Sequence, residues 1–378
     1  MHILAFENKP TLFAGGQERS LHEILSRLSA QPATEVSLCY AESGELLETS
    51  YREWCNVIKE LPSRVFQPKN LVQWLRDVAI CLHLIRKHNI DLLYCNQYPD
   101  TPFPALIKKI TGTPLICHLR LPAPSYLSRQ YRWGLNNADC LIAISNHTKK
   151  TYVEKGIASD KIEVLHNAID TNYFSICDES YAKAVSENRT KRVLYMGRLC
   201  PPKGIEVFIE AAKKILEQGQ KQQHDFVFDI LGQVRGAEVD KSYGQHLKQQ
   251  AGHYLGKDIT FSGHTASVLN DLHNADLVVV PSLWQEPFGR VIIEAMACGV
   301  PVVASEVGGI PEILKPEFSN MLVPPNEPGI LSESILQSIN IKTEQPELMR
   351  KLRKKVIEHF SLDRYIPKIS SIFQSQLG

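Results

Sequence analysis

The chain has 378 residues, enough for two domains that each bury a sizeable core. Its 42 Lys and Arg balance 41 Asp and Glu, so a net charge of +1 leaves no electrostatic footprint for nucleic acid and any acidic ligand must be held locally. Nine scattered cysteines without a C-x2-C pair indicate neither a disulfide framework nor a zinc site, and no apolar run approaches a membrane span. Met1 to Glu7 is too short and too soon interrupted for a signal core, so a soluble, cytoplasmic protein in a reducing compartment is expected.

His2 to Phe6 read as a short buried strand, and Gly15-Gly16 follows before Leu21, Ile24, Leu25 and Leu28 repeat at helical spacing. Two glycines let a backbone approach a ligand at a helix N-terminus, the physics of a phosphate cradle; a plain turn is the other reading of the same pair. A strand is predicted over Glu35 to Tyr40, an amphipathic helix over Leu71 to Arg86, and a strand over Asp91 to Cys95. The helix would turn Leu71, Trp74, Leu75, Val78, Leu82 and Ile85 to the core, with Leu61 to Asn70 as an edge loop before it. Pro114 to Arg120 reads as a strand with a polar end, where functional side chains of such sheets gather, so His118 either faces a cleft or is a structural hydrogen-bonder. Ser145 suits a helix N-cap, and polar Ser175 to Thr190 suits a linker.

The second half opens with a strand at Lys191, then Gly197-Arg198-Leu-Cys-Pro-Pro-Lys203-Gly204 and a helix over Ile205 to Gln218. A strand-end Arg and a loop Lys can converge on one diphosphate, although surface solvation is the ordinary fate of either. Strands are expected at Phe226 to Leu231, Asp258 to Gly263 and Asp276 to Val280. Next, Pro287 biases Glu286 out of the helical region and Gly289 loosens the backbone, which makes Phe288 to Val291 a helix N-terminus suited to an anion. Glu294 sits among apolar neighbours, where an unpaired carboxylate costs on the order of several kcal/mol, so something polar must meet it. Glu286, eight positions earlier, could share that space and accept sugar hydroxyls; alternatively Arg290, four from each, neutralises both in a salt-bridge chain. Pro346 can start a helix over Glu347 to Phe360, and Leu362 to Leu377 patterns as one more.

Glu286-x7-Glu294, followed by Ala-Met-Ala-Cys-Gly299-Val-Pro301 and Gly308-Gly309-Ile-Pro-Glu312, resembles the donor-site signature of the family 4 retaining glycosyltransferases. The resemblance extends over nearly the whole chain, with one departure at Ala168, where the family usually has glycine. It implies an α/β fold of the GT-B type, two Rossmann-like domains facing across a cleft. An acceptor-side domain would span 1–175, a linker 176–190 and a nucleotide-sugar domain 191–361, while a helix over 362–378 crosses back to the first domain. By the same resemblance Glu286 contacts donor hydroxyls, Glu294 holds the ribose, and Phe288, Gly289, Arg290 and Val291 offer amides to sugar and phosphate. Gly15 and Gly16 would approach the diphosphate, His118 the donor sugar, Arg198 and Lys203 the leaving diphosphate, and Gly263 and His264 the base.

The implied reaction is transfer of a sugar, with retention, from a nucleoside diphosphate donor, UDP-glucose as the first choice. The acceptor would be a glycan or lipid-linked species of bacterial envelope or exopolysaccharide synthesis. By the same resemblance the 61–70 loop would meet either the acceptor or the inner face of the cell membrane. No Asp-x-Asp pair occupies a donor position, so the two cations would stand in for a metal and no cofactor is expected. Similar folds also serve sugar phosphorylases and nucleotide-sugar epimerases, and a non-catalytic nucleotide-sugar-binding subunit is a further alternative. A nicotinamide dehydrogenase fits poorly, because no strand leads into a full G-x-G-x-x-G.

Overall fold

Short apolar runs closed by polar residues become parallel strands covered on both faces, which is why they read as continuous hydrophobic segments rather than alternating ones. The computed structural model describes residues 1–8, 16–42, 45–64, 68–177, 190–219, 225–234, 238–263 and 267–377. The chain divides into one unit of Met1–Asn167 with Leu362–Gly378 and a second of Ala168–Ser361. Gly15, His264 and most of the expected linker lie outside the described residues.

The first unit contains β1 (His2–Glu7), β2 (Glu35–Tyr40), β3 (Val57–Glu60), β4 (Leu92–Cys95), β5 (Leu115–Leu119), β6 (Cys140–Ala143) and β7 (Ile162–Val164). They form one parallel sheet in the order β3-β2-β1-β4-β5-β6-β7. Ile3 to Phe6, Leu92 to Cys95 and Leu115 to Leu119 are all buried in its core. The helix Gly16–Ser29 buries Leu21, Ile24, Leu25 and Leu28, the stripe its spacing predicts, and Ser145 caps the helix Asn146–Glu154 by accepting from the Thr148 N–H at 3.0 Å. The closing helix Leu362–Gln374 belongs to this unit, where Phe373 lies 5.2 Å, centroid to centroid, from Tyr94.

One predicted face is corrected. The helix Leu71–His88 buries Asp77, Val78, Cys81, Leu84 and Ile85, whereas Leu71 and Leu75 are exposed at 43% and 53%, and Val72 at 83%. At this end of the helix Trp74 packs against the core, while Leu71, Val72 and Leu75 are left exposed beside it. Asp77 is buried at a cost that hydrogen bonding offsets: its carboxylate accepts from the Ser63 N–H at 2.7 Å and from Gln73 at 2.8 Å.

The second unit contains β8 (Lys191–Met196), β9 (Phe226–Leu231), β10 (Ile259–Gly263), β11 (Leu277–Val280), β12 (Val302–Ser305) and β13 (Leu322–Val323), parallel in the order β10-β9-β8-β11-β12-β13. Helices Ile205–Gln218, Arg290–Ala297 and Pro328–Ser338 cover it, Pro346–His359 packs against Arg290–Ala297, and Pro346 occupies the first turn of its helix as expected. Strand order reverses beside β1 in the first sheet and beside β8 in the second. In open parallel sheets such reversals leave a crevice at the carboxyl ends of the flanking strands, and ligands bind there.

Candidate active site

In the second unit the reversal lies between β8 and β11, and the segments leaving those strands are fastened to each other. The Pro202 carbonyl accepts from the Leu283 N–H at 2.9 Å, and Gly204 sits against Pro281 so closely that a Cβ there would lie 1.9 Å from the carbonyl oxygen. With φ at +71°, Gly204 also adopts a backbone that L side chains rarely reach. This contact brings Lys203 to Glu286, Nζ to Oε2 at 2.6 Å. The same carboxylate oxygen accepts from the Trp284 indole N–H at 2.8 Å and the Ser282 hydroxyl at 3.3 Å. The Lys203 Nζ stands 5.4 Å from the centroid of the Trp284 ring, within cation–π range. Three donors on one oxygen hold Glu286 in place, and its other oxygen has no partner among the described residues.

The backbone of Glu286 is held from the other side. Its carbonyl accepts from Gly309 N–H at 2.8 Å, and Gln285 Oε1 accepts from Gly308 N–H at 3.0 Å. A Cβ on Gly308 would meet the Glu286 carbonyl at 2.1 Å, so the glycine pair after β12 is what lets this segment close on the glutamate loop. The helix expected at Phe288 begins at Arg290, after Gly289, and Arg290 Nε meets Glu294 Oε1 at 2.8 Å with both side chains largely buried. The alternative of one salt-bridge chain through Arg290 is therefore not formed: Arg290 serves Glu294, and Lys203 serves Glu286. Phe288 turns its ring into the core, 1% exposed and 5.6 Å from Phe360, so only its backbone is available to a ligand. Arg198 is exposed, its carbonyl accepting from the Tyr195 hydroxyl at 2.9 Å, and Gly263 ends β10 at φ +71°.

In the first unit a second polar group lies at the ends of β1, β4 and β5. His118 is fully buried; its Nδ1 is 2.7 Å from the Tyr94 hydroxyl and its Nε2 is buried without a partner among the described residues. Burial, reinforced by the positive charge of Arg120, pushes His118 well below the usual imidazole range, so the ring is neutral at physiological pH. Beside it Arg120 donates from Nε to Asn96 Oδ1 at 3.0 Å and from Nη1 to Asn167 Oδ1 at 2.8 Å. Asn96 in turn donates to Glu7 Oε2 at 2.7 Å. Gly16 opens the neighbouring helix, its carbonyl accepting from the Ser20 hydroxyl at 2.7 Å.

Glu7 gives this region a pH dependence. Burial, then the nearby Asp100 and Glu18, push its carboxyl up to about 8. The native state thus keeps a proton that the unfolded chain releases near the ordinary carboxyl value, so stability falls as pH rises from about 4.5 to 8. Replacing Glu7 by Gln should flatten that slope in denaturant titrations at pH 5 and pH 8, by an amount on the order of a few kcal/mol. Parallel slopes in the two proteins would show that Glu7 does not carry the proton.

Two parallel sheets, each with polar side chains gathered at its strand-order reversal, define the doubly wound class of α/β protein, in which ligands bind at such reversals. The glycosyl transferases group 1 family model matches residues 178–359, and the glycosyltransferase family 4 model matches residues 14–173. By these two matches, which together take in most of the chain, the protein belongs to the group 1 and family 4 glycosyltransferases. An uncharacterized glycosyltransferase of Methanocaldococcus jannaschii is 30% identical over 57% of this chain, which spans only 54% of that relative's length. The UDP-Gal:alpha-D-GlcNAc-diphosphoundecaprenol alpha-1,3-galactosyltransferase of Escherichia coli is 24% identical over 96% of this chain and 94% of its own. The crystal structure of Anabaena HepE in complex with UDP-glucose matches in fold with a TM-score of 0.80, at 24% identity over 99% of this chain and 100% of that one.

Sequence reasoning missed Trp284, Ser282, Tyr94, Asn96 and Asn167. Each hydrogen-bonds a charged or ring group, and Asn96 bonds two, Arg120 and Glu7. A Trp two residues before a candidate carboxylate was the available signal for the first; the others lie far apart in sequence and carry no pattern.

Proposed function

We propose that the protein is a retaining glycosyltransferase that moves a hexose from a UDP-sugar, UDP-glucose first, to a glycan or lipid-linked acceptor in polysaccharide synthesis. The observation that carries this reading is Glu286 Oε2 held by Lys203, Trp284 and Ser282 at the β8/β11 reversal, with the second carboxylate oxygen open to a sugar hydroxyl. Lys203 and Arg198 supply positive charge for the departing diphosphate, and a positioned cation stabilises a leaving oxyanion without a metal. Glu294, fixed by Arg290, takes the ribose, and the backbone from Phe288 to Val291 offers N–H groups to sugar and phosphate. His118 is a neutral donor or acceptor for the donor sugar through Nε2, and Gly16 and Gly263 let backbone approach the donor.

A thermal-shift panel of UDP, GDP, ADP, NAD and UDP-sugars, each with and without EDTA, tests the reading. A ligand at about 100 times its Kd contributes ~2.7 kcal/mol to the folded state. UDP and one UDP-sugar should raise the melting temperature, with no effect of EDTA. Stabilisation by NAD alone, or loss of all activity with EDTA and its return with manganese, would overturn the donor site as described.

A further inference from the structure

Glu286 Oε2 takes three donors of unequal permanence. The Lys203 ammonium, 2.6 Å away, is the one that a donor diphosphate would compete for, because phosphate oxygens attract the same charge. The Ser282 hydroxyl lies at 3.3 Å, beyond the usual O–H···O range, and holds the carboxylate weakly. The Trp284 indole N–H, at 2.8 Å, is left as the strong neutral contact. An indole N–H only donates and carries no formal charge, so a phosphate has less hold on it than on the ammonium. The same side chain also touches the cation: Lys203 Nζ stands 5.4 Å from the centroid of its ring, whose negative face attracts an ammonium. Trp284 itself stands on a backbone held from both sides. The Pro202 carbonyl, next to Lys203, accepts from the Leu283 N–H at 2.9 Å and the Trp284 N–H at 3.3 Å, while the Gly309 N–H donates to the Glu286 carbonyl at 2.8 Å. One part-buried side chain thereby contacts both charged groups that the transferase reading places against the donor.

We propose that Trp284 is a positioning residue of the donor site, acting on the sugar through Glu286 and on the diphosphate through Lys203. Its N–H keeps Oε2 in place when the ammonium turns to the diphosphate, so that Oε1 stays open to a sugar hydroxyl. Its ring limits how far the ammonium moves in doing so. Trp284 thus couples recognition of the sugar to departure of the leaving group. Phenylalanine keeps a ring and lacks the N–H, and leucine lacks both, so two substitutions separate the two contacts. This inference rests on the transferase reading given above.

The test is steady-state kinetics of the full chain with the UDP-sugar that stabilises it most, beside calorimetric titration with bare UDP and a melting curve for each variant. Trp284→Phe should lose about tenfold in kcat/KM for the UDP-sugar, the low end of what one hydrogen bond to a charged group provides, and should bind bare UDP as the wild type does. Trp284→Leu should lose roughly a further two- to fivefold in kcat, the size of a cation–π contact at a part-exposed site. The deciding comparison is non-additivity: in the Glu286→Ala background, Trp284→Phe should change kcat/KM by less than about twofold, since the group it positions is gone. A merely structural role would give the same loss in both backgrounds, and that result, or a wild-type kcat/KM in Trp284→Phe, would overturn the inference. A fall in UDP affinity equal to the fall in kcat/KM would place Trp284 in nucleotide binding and overturn it as well. If UDP does not stabilise the wild type and no UDP-sugar is turned over, the transferase reading itself fails and takes this inference with it.

Discussion

Lys203→Ala is expected to lower kcat by about 10²- to 10³-fold, the usual cost of removing one positioned group that stabilises a developing oxyanion. The ammonium sits 2.6 Å from Glu286 Oε2 and over the Trp284 ring, so it is held before any ligand arrives. Such pre-organisation is what makes a charge effective at the moment the diphosphate leaves. The substitution should not unfold the protein, because Glu286 keeps Trp284 and Ser282 as donors and Lys203 is part-exposed. Steady-state kinetics with a UDP-sugar, alongside a melting curve, check both halves. An unchanged kcat with a raised KM would place Lys203 in ground-state binding rather than in departure of the leaving group.

The second large effect separates the two glutamates. Glu286→Ala should leave the affinity for bare UDP unchanged and lower kcat/KM for the UDP-sugar by roughly 10- to 150-fold, the range that one hydrogen bond to a charged group provides. Glu294→Ala should weaken UDP itself by a comparable factor. The geometry supports this division, since the carboxylates have different cations and different supports: Lys203, Trp284 and Ser282 for one, Arg290 for the other. Calorimetric titration of both variants with UDP decides it, and equal losses would show that the two carboxylates act as one site. Glu294→Ala also strips Arg290 of a largely buried carboxylate, so its melting temperature must be measured beside its affinity.

Much of the fold was legible in the sequence. Phe226 to Leu231 and Ile205 to Gln218 form the elements expected over the same residues, because a β-branched and aromatic run closed by glycine, and a 3.6-residue stripe, are local signals. Periodicity failed at one helix start: Leu71 and Leu75 share the spacing of the helix core and are nonetheless exposed, although Trp74 between them packs against it. Spacing gives the face of a helix, while burial depends on what lies opposite it. The alternative of a charge chain through Arg290 fell for a similar reason. Arg290 is four residues from both glutamates, yet Glu286 lies in a loop before the helix, and the i,i+4 geometry applies only to Glu294.

The sequence by itself determined two doubly wound parallel units, the eight-residue spacing of Glu286 and Glu294, and the membership of a glycosyltransferase family. Those properties follow from local periodicity and from residues close together in the chain. Only the tertiary structure decided which partners the charged groups take. Lys203 reaches Glu286 across 83 positions because Gly204 lets two strand-end segments touch, and Arg120 reaches Asn96 because β4 and β5 are neighbours in the sheet. Pairing across a sheet depends on register and close backbone approach, and neither leaves a mark in the order of residues along one segment.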